Sequence, residues 1–358
     1  MGSSAGSILP LTSTGETGVQ LQYGFGIRSA IRNAWRRAFV RSQTRHLHGP
    51  NRWELNDKEV ALILLGRDVI HSAPYFLDYY RARGVTKFVY LDNGSQDGSE
   101  YFFSSQPDTI VAQCLLNFRD YQAELRYCTA CDFAIGGWRL AVDADELLDY
   151  WGSGQMNIPS LVDHLVTCGF TGLVAQMLEM VPRGSLRAHE HKTFAECVDS
   201  FRCYSISDIE TRDYLSPEEP LFFFSSKNKL NNNNIKIMRG GLRRTIFGEE
   251  CLLIKHVLFK CGKNVLPLPH PHFTCGLNLA DFSAVLYHYK FAGPYFEKEK
   301  SLNREGRLSH CEGRIRLAAI ERANDLVFDF DGLLEDPSVQ DLVCQGFLVD
   351  QRSLTDAL

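Results

Sequence analysis

Short apolar runs alternate with amphipathic segments through the first half of the chain. Ser72 can cap a helix that runs to Arg83, with Pro74 in its first turn and Gly84 after its last. A longer helix is predicted from Arg119 to Ile135, before two glycines. Because the segments between the apolar runs are long enough for crossovers, the alternation is typical of βαβ units and of a mainly parallel sheet with helices on both faces. The runs predicted to be strands are residues 60–65, 87–91, 109–113 and 138–142.

The second half of the chain shows a weaker alternation. Residues 182–234 are rich in polar residues and include the tract from Asn231 to Asn234, so we expect loops that form a mobile cover. A mostly helical segment is predicted from Pro294 to about Val327, and residues 331–358 are predicted to be a tail with a helix that docks on the body. Further strands are predicted at residues 235–238, 252–259 and 284–289.

The composition is that of a globular protein without a membrane-spanning segment. A hydrophobic content of 44% in 358 residues is enough for a large core. The net charge of -5 argues against a nucleic acid as the main partner. No run approaches the roughly 18 apolar residues that a bilayer requires, and the N-terminus lacks a signal-peptide pattern, so we expect a cytoplasmic protein. The 11 cysteines are expected to be mostly reduced thiols.

The N-terminal residues 1–48 differ from the rest of the chain. Residues 1–26 are rich in Ser and Gly and are predicted to be disordered, whereas residues 27–48 form a basic amphipathic segment. That segment is either a surface helix packed on the domain or, through residues 27–41, a peripheral contact with a partner or with an anionic membrane at its inner face.

Three carboxylates, Asp143, Asp145 and Glu146, follow the fourth predicted strand. Charges at a buried strand end repel one another and lose hydration, so such a cluster needs a cation or several hydrogen-bond donors. On an extended chain Asp143 and Asp145 would lie on the same side, about 7 Å apart, where they can share a hard cation. An EF-hand loop is excluded, because Leu148 replaces its Gly and Gly154 replaces its final Glu. Glu146 is either a ligand or a capping carboxylate.

Two other predicted strands also end in polar residues. The second runs into a turn that includes Asp92, Asn93 and Asp97, which offers acceptors and backbone N–H donors to a ligand, although an ordinary Asn-Gly turn is the alternative. The first runs into Arg67 and Asp68. Because active residues of parallel sheets collect at the carboxyl ends of strands, these side chains are expected near the carboxylates. The glycines of a Walker A loop and of a Gly-x-Gly-x-x-Gly fingerprint are missing.

In this order, the motifs resemble the family 2-type glycosyltransferases, which have a GT-A fold. The resemblance extends from about Leu62 to Gly306, and its second half is similar to a bacterial branch of the family, which usually carries Glu where Asp68 stands. It implies that residues 55–181 bind a nucleotide-diphosphate sugar and that residues 235–330 lie on the acceptor side. The matching segments are Arg67-Asp68, residues 75–84, 91–99, 142–146 and 240–244, Lys255, and residues 269–272 and 286–291.

The resemblance also implies roles for individual side chains. Asp143 and Asp145 would bind Mn²⁺ or Mg²⁺ and so offset the charge that grows on the leaving diphosphate, with His288 as a third ligand of the metal or a ligand of the phosphate. Glu179, and less well Glu190, would be the base of an inverting transfer to a hydroxyl of a saccharide or lipid-linked acceptor in surface glycan synthesis. The remaining donor-binding candidates are Arg67, Asp68, Asp92, Asn93, Asp97, Arg243, Arg244, Lys255, His270, His272 and Lys290.

Ordinary structural roles and two other functions stay open. The arginines can be solvated surface charges, and the histidines can shape a turn or fill the core. Cys128 and Cys131 have no second cysteine pair, which argues against a zinc site. The competing functions are a sugar-phosphate nucleotidyltransferase, for which the residues before Arg67 are a poor match, and a non-catalytic nucleotide-sugar-binding protein.

Overall fold

The computed structural model describes residues 27–305 and 312–350. The helices are α1 (Ile27–Ser42), α2 (Ala73–Ala82), α3 (Ser99–Ser104), α4 (Phe118–Cys131), α5 (Ile158–Thr167), α6 (Phe194–Ser200), α7 (Phe222–Ser225), α8 (Leu242–Phe247), α9 (Tyr295–Glu305), α10 (Glu312–Ala323) and α11 (Val339–Cys344), with a 3₁₀ turn at Arg187–His189. The strands are β1 (Thr44–His48), β2 (Trp53–Glu54), β3 (Val60–Gly66), β4 (Phe88–Asp92), β5 (Thr109–Cys114), β6 (Ala134–Ile135), β7 (Trp138–Ala141), β8 (Glu146–Asp149), β9 (Gly172–Glu179), β10 (Gly184–Ser185), β11 (Cys203–Tyr204), β12 (Ile209–Asp213), β13 (Lys236–Gly240), β14 (Ile254–Lys260), β15 (Leu266–His270), β16 (Phe273–Cys275), β17 (Leu279–His288), β18 (Val327–Phe328) and β19 (Leu334–Glu335).

Nine strands form the central sheet, in the order β1-β5-β4-β3-β7-β14-β9-β17-β8. Strands β5, β4, β3 and β7 run parallel to one another, and β9 and β17 run in the same direction. Strands β1, β14 and β8 run antiparallel to their neighbours. The predicted α/β fold with a mainly parallel central sheet is therefore confirmed.

Both faces of the sheet are covered, because successive side chains of a strand point to opposite faces. Leu62 and Leu64 of β3 belong to the same buried cluster as Phe76 of α2. Ile63 lies between them in sequence and belongs instead to the cluster that contains Leu125 of α4. The continuous apolar run of β3 is thus explained by burial on both of its faces.

The carboxyl ends of the parallel strands lie together along one side of the sheet, which is called the carboxyl edge, or the sheet edge, below. Strand β3 lies between β4 and β7, which the chain reaches by crossovers in opposite directions, and a ligand site is expected where such a reversal occurs. The antiparallel strand β14 begins at this edge, so its second residue, Lys255, lies beside the strand ends. The parallel strands end here at Gly66, Asp92, Cys114, Ala141, Glu179 and His288.

The long predicted helix is shorter than expected. Helix α4 ends at Cys131, and Ala134 and Ile135 form β6, which pairs with β2. The buried guanidinium of Arg139 explains this end, because its Nε donates to the carbonyl of Ala130 at 2.7 Å and its Nη1 to that of Gly136 at 2.8 Å. A side chain from the following strand thus occupies the carbonyl of Ala130, which another helical turn would use.

The segment 182–234 contains more regular structure than predicted. Helix α6 opens with a capping box in which Thr193 and Glu196 bond each other's backbone N–H groups. Strands β10 and β11 pair with β18 and β19, while β12 pairs with β13. The segment is therefore tied to the C-terminal part of the chain, and it is not an irregular cover. The predicted tail helix is α11, which buries Leu342.

Helix α1 packs on the domain, as one of the two interpretations of the basic segment required. The predicted disorder of residues 1–26 lies outside the described residues. In the ranges 27–305 and 312–350, no helix combines the length and the apolar character that crossing a membrane requires.

Candidate functional site

The carboxylates Asp143 and Asp145 lie in a turn between β7 and β8. The extended geometry predicted for them is wrong, because β7 already ends at Ala141. The N–H of Asp143 donates to Oε2 of Glu146 at 2.8 Å, and the N–H of Glu146 donates back to the carbonyl of Asp143 at 3.0 Å. The N–H of Tyr289 holds the carbonyl of Asp145 at 2.8 Å. This turn therefore presents two carboxylates at the carboxyl edge of the sheet.

Glu146 is a buried capping group of this turn. Its side chain is 1% exposed, and Nζ of Lys255 lies 2.6 Å from its Oε2 and 3.4 Å from Oδ2 of Asp143. Burial would lower the pKa of Lys255, but the attraction of Asp143 and Glu146 raises it, so the ammonium stays charged. Lys255 thus neutralises the turn from behind, and the ambiguity between ligand and cap is resolved in favour of a cap for Glu146.

His288 is held between two carboxylates. Its Nδ1 lies 3.1 Å from Oε1 of Glu179, and its Nε2 lies 3.6 Å from Oδ2 of Asp145. Burial would lower the pKa of His288, but these carboxylates raise it to about 10. In the described parts of the chain no three His, Cys, Asp or Glu side chains converge as a metal site, so the predicted trio with His288 is not formed.

Glu179 does not have the environment of a general base. Its side chain is 2% exposed, and its Oε1 lies 2.8 Å from Nε of Arg243 as well as near His288. Burial would raise the pKa of Glu179, but His288 and Arg243 lower it to about 2. A base works best with a pKa near the operating pH. We therefore replace the predicted role of Glu179 with that of a buried counter-ion that orients His288.

The ion pairs continue from Glu179 into the C-terminal helices. Nη1 of Arg243 lies 3.4 Å from Oε2 of Glu249, and the other carboxylate oxygen of Glu249 lies 2.9 Å from Nη1 of Arg316. Nε of Arg316 lies 3.1 Å from Oε2 of Glu299. Acidic and basic groups alternate along this buried chain, which links the sheet edge at His288 to α9 and α10.

Asp92 and Asn93 shape the turn after β4. Asp92 is fully buried, and its carboxylate accepts hydrogen bonds at 3.0 to 3.2 Å from the backbone N–H groups of Gly94 and Ser95 and at 3.0 Å from the side chains of Tyr90 and Gln113. Nδ2 of Asn93 donates to the carbonyls of Cys114 and Leu116. Both side chains thus hold the loop, and their predicted contact with a ligand stays a prediction.

Asp68 and Asp97 join the two loops at the edge of the sheet. Oδ1 of Asp68 accepts from the N–H of Gln96 at 2.7 Å, and Asp68 has a positive φ of 53°. Oδ2 of Asp97 accepts from the N–H of Ile70 at 2.9 Å. Nε of Arg67 lies 3.3 Å from Oδ2 of Asp68. The loops after β3 and β4 therefore form one cross-linked unit.

A small cavity of about 140 Å³ opens beside the Asp143 turn. Helix α4 supplies Arg126 to its wall, and this basic residue was missed by the sequence analysis. The guanidinium of Arg126 lies 5.1 Å from the ring centre of Phe118 and donates to Gln122 at 3.0 Å. Its position on a helix without a recognisable motif gave no sequence signal. The wall comprises Ile63, Leu65, Phe118, Arg126, Thr129, Ala141, Val142, Asp143, Lys255, Leu268 and Pro271.

Lys290 and His272 lie near the carboxylates. The positive charge of Lys290 contributes to the lowered pKa values of both Asp145 and Glu179. Nδ1 of His272 contacts the carbonyl of Ile254 at 2.8 Å, and burial together with the charge of Lys255 lowers the pKa of His272 to about 3. His272 is therefore a neutral neighbour of the site at physiological pH.

The other predicted residues have partners elsewhere. Arg244 contacts Glu210, Glu250 and the carbonyl of Asp208, so it is separated from the role of Arg243. The ring of His270 packs against Phe224 and Phe273. Nη1 of Arg187 lies 3.4 Å from Oε2 of Glu190, the weaker candidate for the base. The chain of buried ion pairs thus includes Arg243, whereas Arg244, His270 and Glu190 lie outside it.

The comparisons with known proteins leave the family undetermined. No model of a known protein family matches the chain, and no curated protein matches it in sequence. The resemblance to family 2-type glycosyltransferases therefore stays a prediction.

Proposed function

We propose that this chain is a metal-dependent glycosyltransferase with a GT-A fold, which moves a sugar from a nucleotide-diphosphate donor to a hydroxyl of a saccharide or lipid-linked acceptor. The observation that carries the proposal is the turn with Asp143 and Asp145 at the carboxyl edge of the parallel strands, backed by Lys255. Ligands of open α/β sheets bind at this edge.

The carboxylate pair fits a hard divalent cation. Carboxylate oxygens are the ligands that Mg²⁺ and Mn²⁺ prefer, and the Asp143 side chain is 64% exposed, so its oxygens are accessible to a ligand. When bound, the cation would neutralise charge on the departing diphosphate. His288 then has a supporting role, because it holds the carboxylate of Asp145 from the protein side.

Other side chains at the edge suit the rest of a nucleotide-diphosphate. Arg126 can donate to phosphate oxygens from the cavity wall, and Lys290 adds positive charge on the side of Asp145. The apolar side chains of Leu65 and Phe118 line the same cavity and can contact a base or ribose. The positioned donors would compensate negative charge as the bond to the sugar breaks.

The test is an assay of product release with Mn²⁺ and a panel of sugar nucleotides. We expect release of a nucleoside diphosphate, reduced at least about 100-fold by Asp143→Asn and by Asp145→Asn, since each removes a charge from the reaction centre. Asp57→Asn is the control, because Asp57 is a 79% exposed residue before β3. Release of pyrophosphate, or absence of donor binding, would contradict the proposal.

A further inference from the structure

Helix α1 uses one side to pack against α4. Nε of Arg36 lies 2.7 Å from Oε1 of Glu124, and Nη2 of Arg41 lies 2.7 Å from Oδ1 of Asp132. The guanidinium of Arg37 lies 3.5 Å from the ring centre of Tyr127. On this side Asn33 and Val40 are buried, so the orientation of α1 on the domain is fixed.

The side of α1 that bears Ile31 and Trp35 is an exposed apolar stripe, and Phe39 continues it at the border with α4, where its ring centre lies 5.8 Å from that of Tyr121. Ile31 is 54% exposed, Trp35 is 74% exposed and Phe39 is 44% exposed. They are spaced four residues apart, so they lie along one side of the helix, and Ala34 and Ala38 beside them are also exposed. Among the described large hydrophobic residues, Trp35 is exceeded in exposure only by Tyr101. A stripe of this kind is typical of a surface that contacts another apolar phase.

The charges within the α1 segment itself have one sign. The segment 28–45 contains six arginines and no acidic residue, whereas the whole chain has a net charge of -5. Arg32 and Arg45 are exposed, and the arginines that pair with α4 remain partly exposed, with 33% of the Arg36 side chain and 48% of the Arg41 side chain accessible. The positive charge is therefore local to α1 and the start of β1, where Glu124 and Asp132 offset two of the arginines.

We propose that α1 binds flat on a membrane surface that contains anionic lipid. The apolar stripe of Ile31, Trp35 and Phe39 enters the boundary between headgroups and acyl chains, while the flanking arginines contact lipid phosphates. An indole side chain suits that boundary, because it is large and apolar and carries one N–H donor. A second copy of the chain is a poorer occupant, since two copies of α1 would bring like charges together.

The orientation places the back of the site on the membrane side. Helix α4 carries α1 on one side through Glu124 and Tyr127, and on another it supplies Phe118, Arg126 and Thr129 to the cavity wall. The cavity would thus be one helix away from the lipid headgroups. The inference stands on the surface of α1 and is independent of the proposed sugar transfer.

Vesicle sedimentation tests the proposal with the full-length protein and without any sugar nucleotide. The probes are vesicles of phosphatidylcholine with about 30% phosphatidylserine, which approximates the charge of an anionic leaflet. Vesicles of phosphatidylcholine alone are the uncharged comparison. We expect at least tenfold stronger partitioning to the anionic vesicles, and loss of most of it in the double variant Ile31→Ser with Trp35→Ser. The matched control is Tyr101→Ser, because Tyr101 is an 81% exposed aromatic residue on α3.

A second readout separates insertion from simple charge attraction. Trp35 fluorescence is expected to shift to the blue with anionic vesicles and to become protected from acrylamide, and Trp35→Phe is expected to abolish that shift while binding persists. Binding that the Ile31 and Trp35 substitutions leave unchanged would overturn the proposal, as would absence of binding. Self-association that Trp35→Ser abolishes, without vesicle binding, would also overturn it and assign the stripe to a second copy.

Discussion

Nη1 of Arg316 lies 2.9 Å from Oε1 of Glu249, and both side chains are buried. Arg316 belongs to α10, whereas Glu249 follows α8 and also contacts Arg243. The C-terminal helices are therefore linked by charge to the residues that hold His288. A substitution that breaks an ion pair at α10 is therefore expected to disturb the position of His288 at the sheet edge.

Replacing Arg316 by Met is expected to destabilise the protein. The change leaves Glu249 and Glu299 as buried carboxylates without this cation, which costs about 3 to 5 kcal/mol of unfolding free energy. The measurement is chemical denaturation. Arg322→Met on the same helix is the control, because Arg322 is exposed and its loss should change stability by less than about 0.5 kcal/mol.

Lys255→Met is expected to have a comparable effect at the Asp143 turn. It removes the ammonium from the buried Glu146 and costs about 3 to 5 kcal/mol. Lys260→Met is the control on the same strand, because Lys260 pairs with Asp57 at 3.1 Å where Asp57 is 79% exposed, and such a pair contributes about 1 kcal/mol or less. Adding Glu146→Gln to Lys255→Met should restore part of the lost stability. Equal melting temperatures of the two single lysine variants would show that Glu146 does not depend on Lys255.

Glu179→Gln separates a general base from a buried counter-ion. A missing base would lower kcat by about 10² to 10⁴ with little change in stability. Loss of a counter-ion should instead destabilise the fold by about 3 kcal/mol, because Arg243 and His288 lose their negatively charged partner. It should lower kcat less than about tenfold. The two quantities are measured by denaturation and by the product-release assay. A large fall in kcat at unchanged stability would return Glu179 to the role of a base.

Stability is expected to fall at mildly acidic pH because of His256. Burial lowers the pKa of His256 to about 4, and its ring contacts Tyr214 at 2.9 Å. The unfolded chain, with an ordinary pKa of about 6.5, therefore binds a proton between pH 6.5 and pH 4 that the folded chain does not. This lowers the unfolding free energy by about 1.4 kcal/mol per pH unit as pH falls through that window.

The measurement is the unfolding free energy at pH 7.5 and pH 5 for the wild type and for His256→Gln. We expect the wild type to lose about 2 kcal/mol more than the variant over this interval, since Gln does not titrate. His272 is present in both proteins, so its contribution cancels. Identical losses would mean that His256 does not control the acid sensitivity.

The strands and the position of the carboxylates could be predicted from the sequence. The run from Val60 is apolar because both of its faces are buried, and Asp143 follows a strand that ends at the carboxyl edge, so local pattern and parallel topology were sufficient. The end of α4 could not be predicted this way. It depends on the buried guanidinium of Arg139, whose side chain returns to the carbonyl of Ala130.

The roles of the charged residues could not be predicted, because they depend on partners distant in sequence. Glu179 and His288 are 109 positions apart, and whether such a pair is a base, a ligand or an ion pair is decided by what surrounds it. Arg126 reaches the cavity because α4 packs against β3 and β4 of the sheet. A carboxylate that looks reactive in a motif can thus be neutralised by the fold.

The antiparallel strand β14 has a consequence for the order of folding. It inserts between β7 and β9 and delivers Lys255 to Glu146 across 109 positions of sequence. Before β14 is synthesised, β7 is an edge strand without a partner on one side. The Asp143 turn also lacks the ammonium group of Lys255 at that stage. A nascent chain that ends before residue 254 should therefore be prone to aggregation and depend on chaperones, whereas completion of β14 pairs it with β7 and neutralises the turn in one step.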